Sequence, residues 1–191
     1  MFFISVFIEN LKEAIIGESN AKRKYELFAE KALNEGFPEI AHLFKAISTA
    51  ELIHIKNHLK AIEEITKKSV DLNAIVNIEE NVLKKQVNNT RNNLIQAIAG
   101  ETFEFKKMYK GFMKNAKKND VSLAEFSFDL ARMAEIVHSK LYIRFLKKLD
   151  KKEPFEDIDI YVCRFCGNVE LKKKTKICPN CEHDQTFFMK A

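Results

Sequence analysis

The residues able to do chemistry come in matched sets. Ala50-Glu51-Leu52-Ile53-His54-Ile55-Lys56 returns almost unchanged as Ala134-Glu135-Ile136-Val137-His138-Ser139-Lys140. On a helix, positions i and i+3 share a face, so each copy aims one carboxylate and one imidazole at the same point. Each heptapeptide is preceded by a second matching stretch, Ala14-Ile15-Ile16-Gly17-Glu18-Ser19 in one half and Ala97-Ile98-Ala99-Gly100-Glu101-Thr102 in the other. Glu18 stands 33 positions before Glu51 and Glu101 stands 34 before Glu135, so the halves read as two copies of one helical hairpin. Symmetry breaks at Glu104, whose counterpart is Ala21. The second half thereby gains a carboxylate one turn beyond Glu101.

These side chains sit where apolar residues belong. One stripe runs Phe7, Leu11, Ala14, Glu18, Ala21, Tyr25, Phe28, and another runs Ile40, Phe44, Ile47, Glu51, His54, His58, Ile62. A third runs Leu94, Ile98, Glu101, Phe105, Met108, Phe112, and a fourth runs Phe128, Ala131, Glu135, His138, Tyr142, Phe145. Their helical period makes them the inner faces of four helices. Buried carboxylates destabilise a fold unless something compensates them, and a metal ion is the simplest compensation. The alternative, that these are ordinary solvated glutamates, has to hold at all four matched positions at once. Glu18, Glu51, His54, Glu101, Glu104, Glu135 and His138 make a di-metal inventory. It matches the ferritin-like carboxylate bundles, in which two helices give one Glu each and two give Glu-x-x-His. Oxygen-rich ligation with two imidazoles suits iron or manganese.

A separate ligand set lies near the C-terminus. Cys163, Cys166, Cys178 and Cys181 form C-x2-C-x11-C-x2-C, a segment too short to build a core, so a tetrahedral four-thiolate metal must supply its folding energy. The spacing serves zinc and mononuclear iron alike. With every cysteine in a C-x-x-C pair, metal ligation in a reducing compartment is favoured over disulfides, and the cytoplasm is the expected location.

The elements that must position these groups follow from composition. The chain has 191 residues, 46% hydrophobic and 31% charged, with five Gly and three Pro. Such a chain suits long helices and one ordinary bundle plus a small appendage. We expect helices over about 5–34, 38–66, from somewhere in 75–90 to 115, and 122–148, with a crossover near 67–81. Gly36 should stop the first, Pro38 open the second and Ser122 cap the last. An all-α bundle is thus expected over 1–150, and the small four-cysteine domain over 155–191. The net charge of +5 comes from Lys-rich runs at 114–118, 147–152 and 172–176. None is interleaved with aromatics, so nucleic-acid binding is not expected. The apolar opening Phe2 to Ile8 has no basic n-region and is too short to span a bilayer, so it reads as the start of helix one and no membrane partner is expected.

Together these motifs resemble rubrerythrin, a ferritin-like di-iron bundle followed by a rubredoxin-like domain. The resemblance covers nearly the whole chain. It rests on Gly17-Glu18 with Arg23 and Tyr25, Glu51-x-x-His54, Gly100-Glu101-x-x-Glu104 with Met108-Tyr109, Glu135-x-x-His138, and Tyr161-Val162-Cys163-x-x-Cys166-Gly167. It implies two irons bridged by Glu51 and Glu135, with Glu18 and Glu101 as terminal ligands and His138 on one iron. The other iron is implied to take Glu104 when oxidised and His54 when reduced. A third iron would occupy the four cysteines, and Tyr25 and Tyr109 would hydrogen-bond the carboxylates or the substrate. The implied activity is reduction of hydrogen peroxide to water, with electrons entering through the four-cysteine iron from a donor such as a rubredoxin or an NAD(P)H-dependent reductase. A head-to-tail homodimer, with each small domain docked on the other subunit, is also implied. Two other functions fit the same residues: a ferroxidase or iron-handling protein, and a zinc-ribbon interaction module on a structural bundle. Two features depart from the resemblance. Glu182 follows Cys181 where a knuckle normally has Gly, which suggests a distorted second knuckle, and the lysine run 172–176 is unusual between knuckles.

Overall fold

The computed structural model describes residues 2–191, with side chains described from residue 6 onward. Met1, the first residue of the expected bundle span, lies outside the described residues. Helix α1 (Phe2–Asn34) and α2 (Pro38–Thr66) form the first hairpin. Gly36 makes the turn at φ +82°, the Phe37 N–H closes onto the Ala32 carbonyl at 2.9 Å, and Pro38 opens α2. The left-handed conformation there is what glycine accepts without cost, and proline at the first helical position loses no intrahelical bond.

The crossover is longer and more structured than the sequence suggested. It holds a 3₁₀ turn (Leu72–Ala74) capped by Asp71 and a short helix α3 (Glu80–Gln86). Arg23 on α1 pins α3 through Glu80, with Nε to Oε2 at 2.9 Å and Nη2 to Oε1 at 2.5 Å. The second hairpin is α4 (Thr90–Phe103), a π-helical turn (Glu104–Met108), α5 (Tyr109–Lys118) and α6 (Ser122–Asp150). Asn89 caps α4 through its side chain, whereas Ser122 falls inside the first turn of α6 and Val121 holds the cap position without a side-chain bond.

The π turn changes the expected register. The Tyr109 N–H bonds to the Glu104 carbonyl five residues back, so Glu104 and Tyr109 share the inner face. Phe105 and Met108, expected on the inner stripe, are only half-buried, and Tyr109 is fully buried in their stead.

Two apolar clusters fill the bundle. One joins Tyr25, Phe28, Ile40, Phe44, Leu94 and Tyr142, and the other joins Phe7, Leu11, Ile55, Tyr109, Phe112 and Phe128. Each long helix passes from one cluster to the other near its carboxylates, so the expected ligands form a polar layer between two apolar ones. After Asp150 the helical pattern ends, and β1 (Ile160–Cys163), β2 (Val169–Leu171) and β3 (Phe188–Lys190) form a small antiparallel sheet in the order β2-β1-β3. Ile160, Val162 and Val169 join the first apolar cluster, so this sheet packs on its own bundle. Among the described residues, no helix is long and apolar enough to cross a membrane.

Candidate metal centres

The inner stripes bring the seven expected carboxylates and imidazoles together at the polar layer, and six of them form two overlapping quartets. Ligand atoms of Glu18, Glu51, His54 and Glu135 lie within 4.8 Å of one another, as do those of Glu51, Glu101, Glu135 and His138. Glu51 and Glu135 belong to both quartets, the position required of bridging carboxylates. Glu104 is buried nearby but stands outside both.

The six side chains of the quartets are 0–1% exposed, yet many of their polar atoms have no hydrogen-bond partner. Glu18 Oε2, both oxygens of Glu51, Glu101 Oε2, Glu135 Oε1 and His54 Nδ1 are all buried and unpaired. His54 Nδ1 lies 2.8 Å from Glu135 Oε1, 2.9 Å from Glu51 Oε2 and 3.5 Å from Glu18 Oε1 without bonding to any of them. Convergent donors that do not satisfy one another fit a shared cation, since unpaired buried polar atoms are otherwise rare.

The electrostatics agree. Burial, then the charges of Glu135 and Glu18, push the Glu51 carboxyl well above its ordinary range. Glu101 is raised by burial and Glu135, and Glu104 by burial and Glu18. Burial opposes the charge on His54 and His138 too, but carboxylates around each outweigh it and raise both. Glu135 goes the other way: burial would raise it, and the two imidazolium charges hold it well below. A layer that must hold protons to stay neutral is one that metal ions neutralise better.

Both imidazoles are oriented from outside the layer by the four-cysteine domain. His54 Nε2 lies 3.2 Å from the Cys166 carbonyl and His138 Nε2 lies 3.0 Å from the Gly167 carbonyl. A carbonyl only accepts, so each Nε2 donates a proton outward and Nδ1 is the nitrogen turned to the carboxylates, where His138 Nδ1 meets Glu135 Oε2 at 2.7 Å. Loss of the Nδ1 proton would free that lone pair for a metal ion. Asn57 Nδ2 adds a 2.8 Å bond to the Phe165 carbonyl. A Cβ at Gly167 would collide with the His54 ring and lie 3.3 Å from the Ala50 carbonyl, so glycine is what allows this approach.

The four sulfurs of Cys163, Cys166, Cys178 and Cys181 also lie within 4.8 Å of one another. The two knuckles close alike: the Gly167 N–H meets the Cys163 carbonyl and the Glu182 N–H meets the Cys178 carbonyl, both at 2.9 Å. Gly167 has φ +77° and Glu182 has φ +61°. The second knuckle is therefore not distorted. Glu182 adopts the same left-handed turn, at a cost of about 1–2 kcal/mol for an L residue. Hydrogen bonds from Cys166 and then Cys178 hold the Cys163 thiol down to about 2, and its bond to Cys163 pushes Cys166 up. Crowding that favours a thiolate suits metal ligation.

The two expected tyrosines reach the layer from opposite apolar clusters. Tyr25 donates to Glu101 Oε1 at 2.5 Å and Tyr109 donates to Glu18 Oε1. Burial, then the neighbouring carboxylate, raises both phenols, so they remain protonated donors. Sequence reasoning put His58 on the inner stripe without a role. It is fully buried, with Nδ1 2.7 Å from Ser127 Oγ and Nε2 3.0 Å from Tyr109 Oη. Its place on the inner stripe four residues after His54, just before that stripe turns apolar again at Ile62, was the available signal.

The rubrerythrin family model matches residues 9–146. The chain belongs to the rubrerythrin family. Rubrerythrin-2 of Clostridium acetobutylicum is 35% identical over 175 residues, covering 90% of this chain and 89% of that protein. Nigerythrin of Nitratidesulfovibrio vulgaris is 32% identical over 181 residues, covering 95% and 84%. The solved nigerythrin in its partially reduced state has a TM-score of 0.82 at 30% identity, covering 97% of this chain and 86% of that one. Nigerythrin has also been solved in an all-ferrous state. This rubrerythrin-family chain is thus a ferritin-like oxidoreductase with a carboxylate and histidine di-iron site and a four-cysteine cluster for a further metal.

Proposed function

We propose that the protein reduces hydrogen peroxide to water, with electrons entering at an iron held by Cys163, Cys166, Cys178 and Cys181 and passing to the di-iron site. The observation that carries this reading is the pair of hydrogen bonds from His54 and His138 to the Cys166 and Gly167 carbonyls. Cys166 is itself a sulfur ligand, so a short run of covalent bonds and one hydrogen bond joins the two metal sites. Bound ferrous ions at the bundle site would supply the two electrons that cleaving the peroxide bond requires.

The chain's own residues do the rest. Glu51 and Glu135, common to both quartets, would be shared by the two metals, Glu18, Glu101, His54 and His138 would complete the two sets, and Glu104 would be held in reserve. Tyr25 and Tyr109 keep Glu101 and Glu18 oriented and present phenolic protons at the site. The bundle unit, 1–150, and the cysteine unit, 155–191, act as acceptor and donor. The segment between them, without regular secondary structure from Glu153 to Asp159, lets the same knuckle contact form within one chain or across a head-to-tail homodimer by exchange of the small domain. Four cysteines free of disulfides suit a reducing cytoplasm, and the external donor is a small redox protein such as a rubredoxin or an NAD(P)H-dependent reductase.

The test is iron-loaded protein assayed with peroxide and an external donor. We expect three irons per chain, a red oxidised form, and catalytic turnover. Cys178→Ser should lose the colour and the turnover, yet still react once with peroxide after chemical reduction. Colourless protein with zinc in the cysteine site and undiminished turnover defeats the electron path. Dioxygen-driven oxidation of excess ferrous ion without peroxide turnover makes the protein a ferroxidase.

A further inference from the structure

We propose that Ser127, His58 and Tyr109 form a path that carries protons from a surface pocket to the Glu18 edge of the di-iron site. The inference rests on the peroxide-reducing reading, because that reaction consumes protons: H2O2 + 2 H+ + 2 e− gives 2 H2O. One O–O bond breaks, two O–H bonds form, and the electrons come from the reduced irons.

The geometry fixes the direction of the path. A metal-binding carboxylate only accepts, so Tyr109 Oη gives its hydrogen to Glu18 Oε1. The phenolic oxygen then accepts from His58 Nε2–H at 3.0 Å. That leaves His58 Nδ1 as an acceptor, met by the Ser127 hydroxyl at 2.7 Å. Every donor therefore points inward. Ser127 lines a pocket of about 200 Å³ at the surface, bordered by Asn57, Lys60, Glu64, Phe126 and Phe165. When Tyr109 gives up its phenolic proton, the Nε2 proton re-forms the phenol and the Ser127 proton moves to Nδ1. Solvent in the pocket then restores the hydroxyl. Rotation of the imidazole and hydroxyl resets the chain.

A purely structural role does not explain this polar chain. His58 lies among Tyr109, Phe128 and the rest of the second apolar cluster, where an apolar residue would avoid the cost of burying polar atoms. Burial pushes its pKa down to about 4, so the ring is neutral and able to accept at one nitrogen while donating at the other. Tyr25 supplies an internal contrast. It makes the equivalent bond to Glu101, but behind it stand Phe28, Phe44 and Tyr142, whose own hydroxyl has no partner. One tyrosine is connected to solvent and the other is sealed.

Full-length protein substituted with zinc, which is diamagnetic and redox-inert, separates the path from the activity. By NMR in D2O, the Tyr109 hydroxyl proton should exchange at least about tenfold faster than that of Tyr25, which can exchange only when the structure opens locally. In Ser127→Ala and His58→Leu the Tyr109 rate should fall to that of Tyr25, and Ser127→Thr, which keeps a hydroxyl, should restore it. In reduced iron-loaded protein the first two variants should slow peroxide-driven oxidation about tenfold or more, with iron content and visible spectrum unchanged. Should His58→Leu fail to fold, the small Ser127→Ala change carries the test. Equal exchange at the two tyrosines, or a Tyr109 rate unmoved by Ser127→Ala, overturns the path. Wild-type iron protein inert to peroxide would instead sink the functional reading, and the zinc-protein exchange rates would still decide whether the path exists.

Discussion

Glu104 is the residue that breaks the internal repeat, and it is also the one of the five carboxylates left outside both quartets. His54 occupies the first quartet in its place, which is the arrangement expected when neutral imidazole serves the ferrous state and an anionic oxygen the ferric one. Glu104→Ala should therefore keep two irons in reduced protein, lose or weaken one on oxidation, and slow peroxide turnover with helix content unchanged. Metal analysis of both redox states checks this, and two irons retained equally in each would return Glu104 to a passive role. The clustering of these side chains was legible in the sequence because charged residues at apolar stripe positions are costly and because the pattern occurs twice. His58 was not legible as a functional group, since a single stripe histidine reads as core until its partners Tyr109 and Ser127 are seen beside it. Glu182 was misread for a different reason: left-handed φ is preferred by glycine but not forbidden to other residues.

At the scale of elements, four long helices and a cysteine unit follow from periodicity and spacing, and the structure has them. What periodicity could not supply was the π turn at Glu104–Met108, because a 3.6-residue template places Phe105 and Met108 inward and leaves Tyr109 out. Nor could it supply the docking of the first knuckle against α2 and α6, which depends on contacts between residues far apart in sequence, His54 with Cys166 across 112 positions and His138 with Gly167 across 29. Gly167 is the hinge of that docking. Gly167→Ala adds a Cβ against the His54 ring, and the left-handed φ adds about 1–2 kcal/mol of its own. Glu182 occupies the matching left-handed position in the second knuckle, so the backbone term alone is tolerated in this domain. The variant should keep its red cysteine site and its di-iron site but transfer electrons between them more slowly. Pre-reduced protein mixed with peroxide resolves the two oxidation phases, and an unchanged interval between them would rule out the knuckle contact as the route.

For the whole molecule, the polar layer ties stability to metal and pH together. In metal-free protein Glu51, Glu101 and Glu104 have pKa values raised by burial and then by neighbouring carboxylates, Glu135 or Glu18 foremost. A raised carboxylate stabilises the fold fully below its unfolded value near 4.5, and that contribution is lost as pH climbs through the folded value. His54 and His138 are raised as well, so their contribution is complete below about 6.5 and is lost as pH rises further. Glu135 is lowered, so its contribution is already complete above 4.5 and is lost only on acidification. All five raised groups therefore destabilise metal-free protein in the same direction on the alkaline side. Iron requires the same groups deprotonated, so loading releases their protons and removes the penalty. The Tm of the metal-free bundle, followed by its helical signal, should fall steadily from about pH 5 to pH 8, while that of the loaded protein holds or rises, so the gap between them widens. Two curves that ran parallel across that range would mean the buried layer neither holds these protons nor trades them for metal.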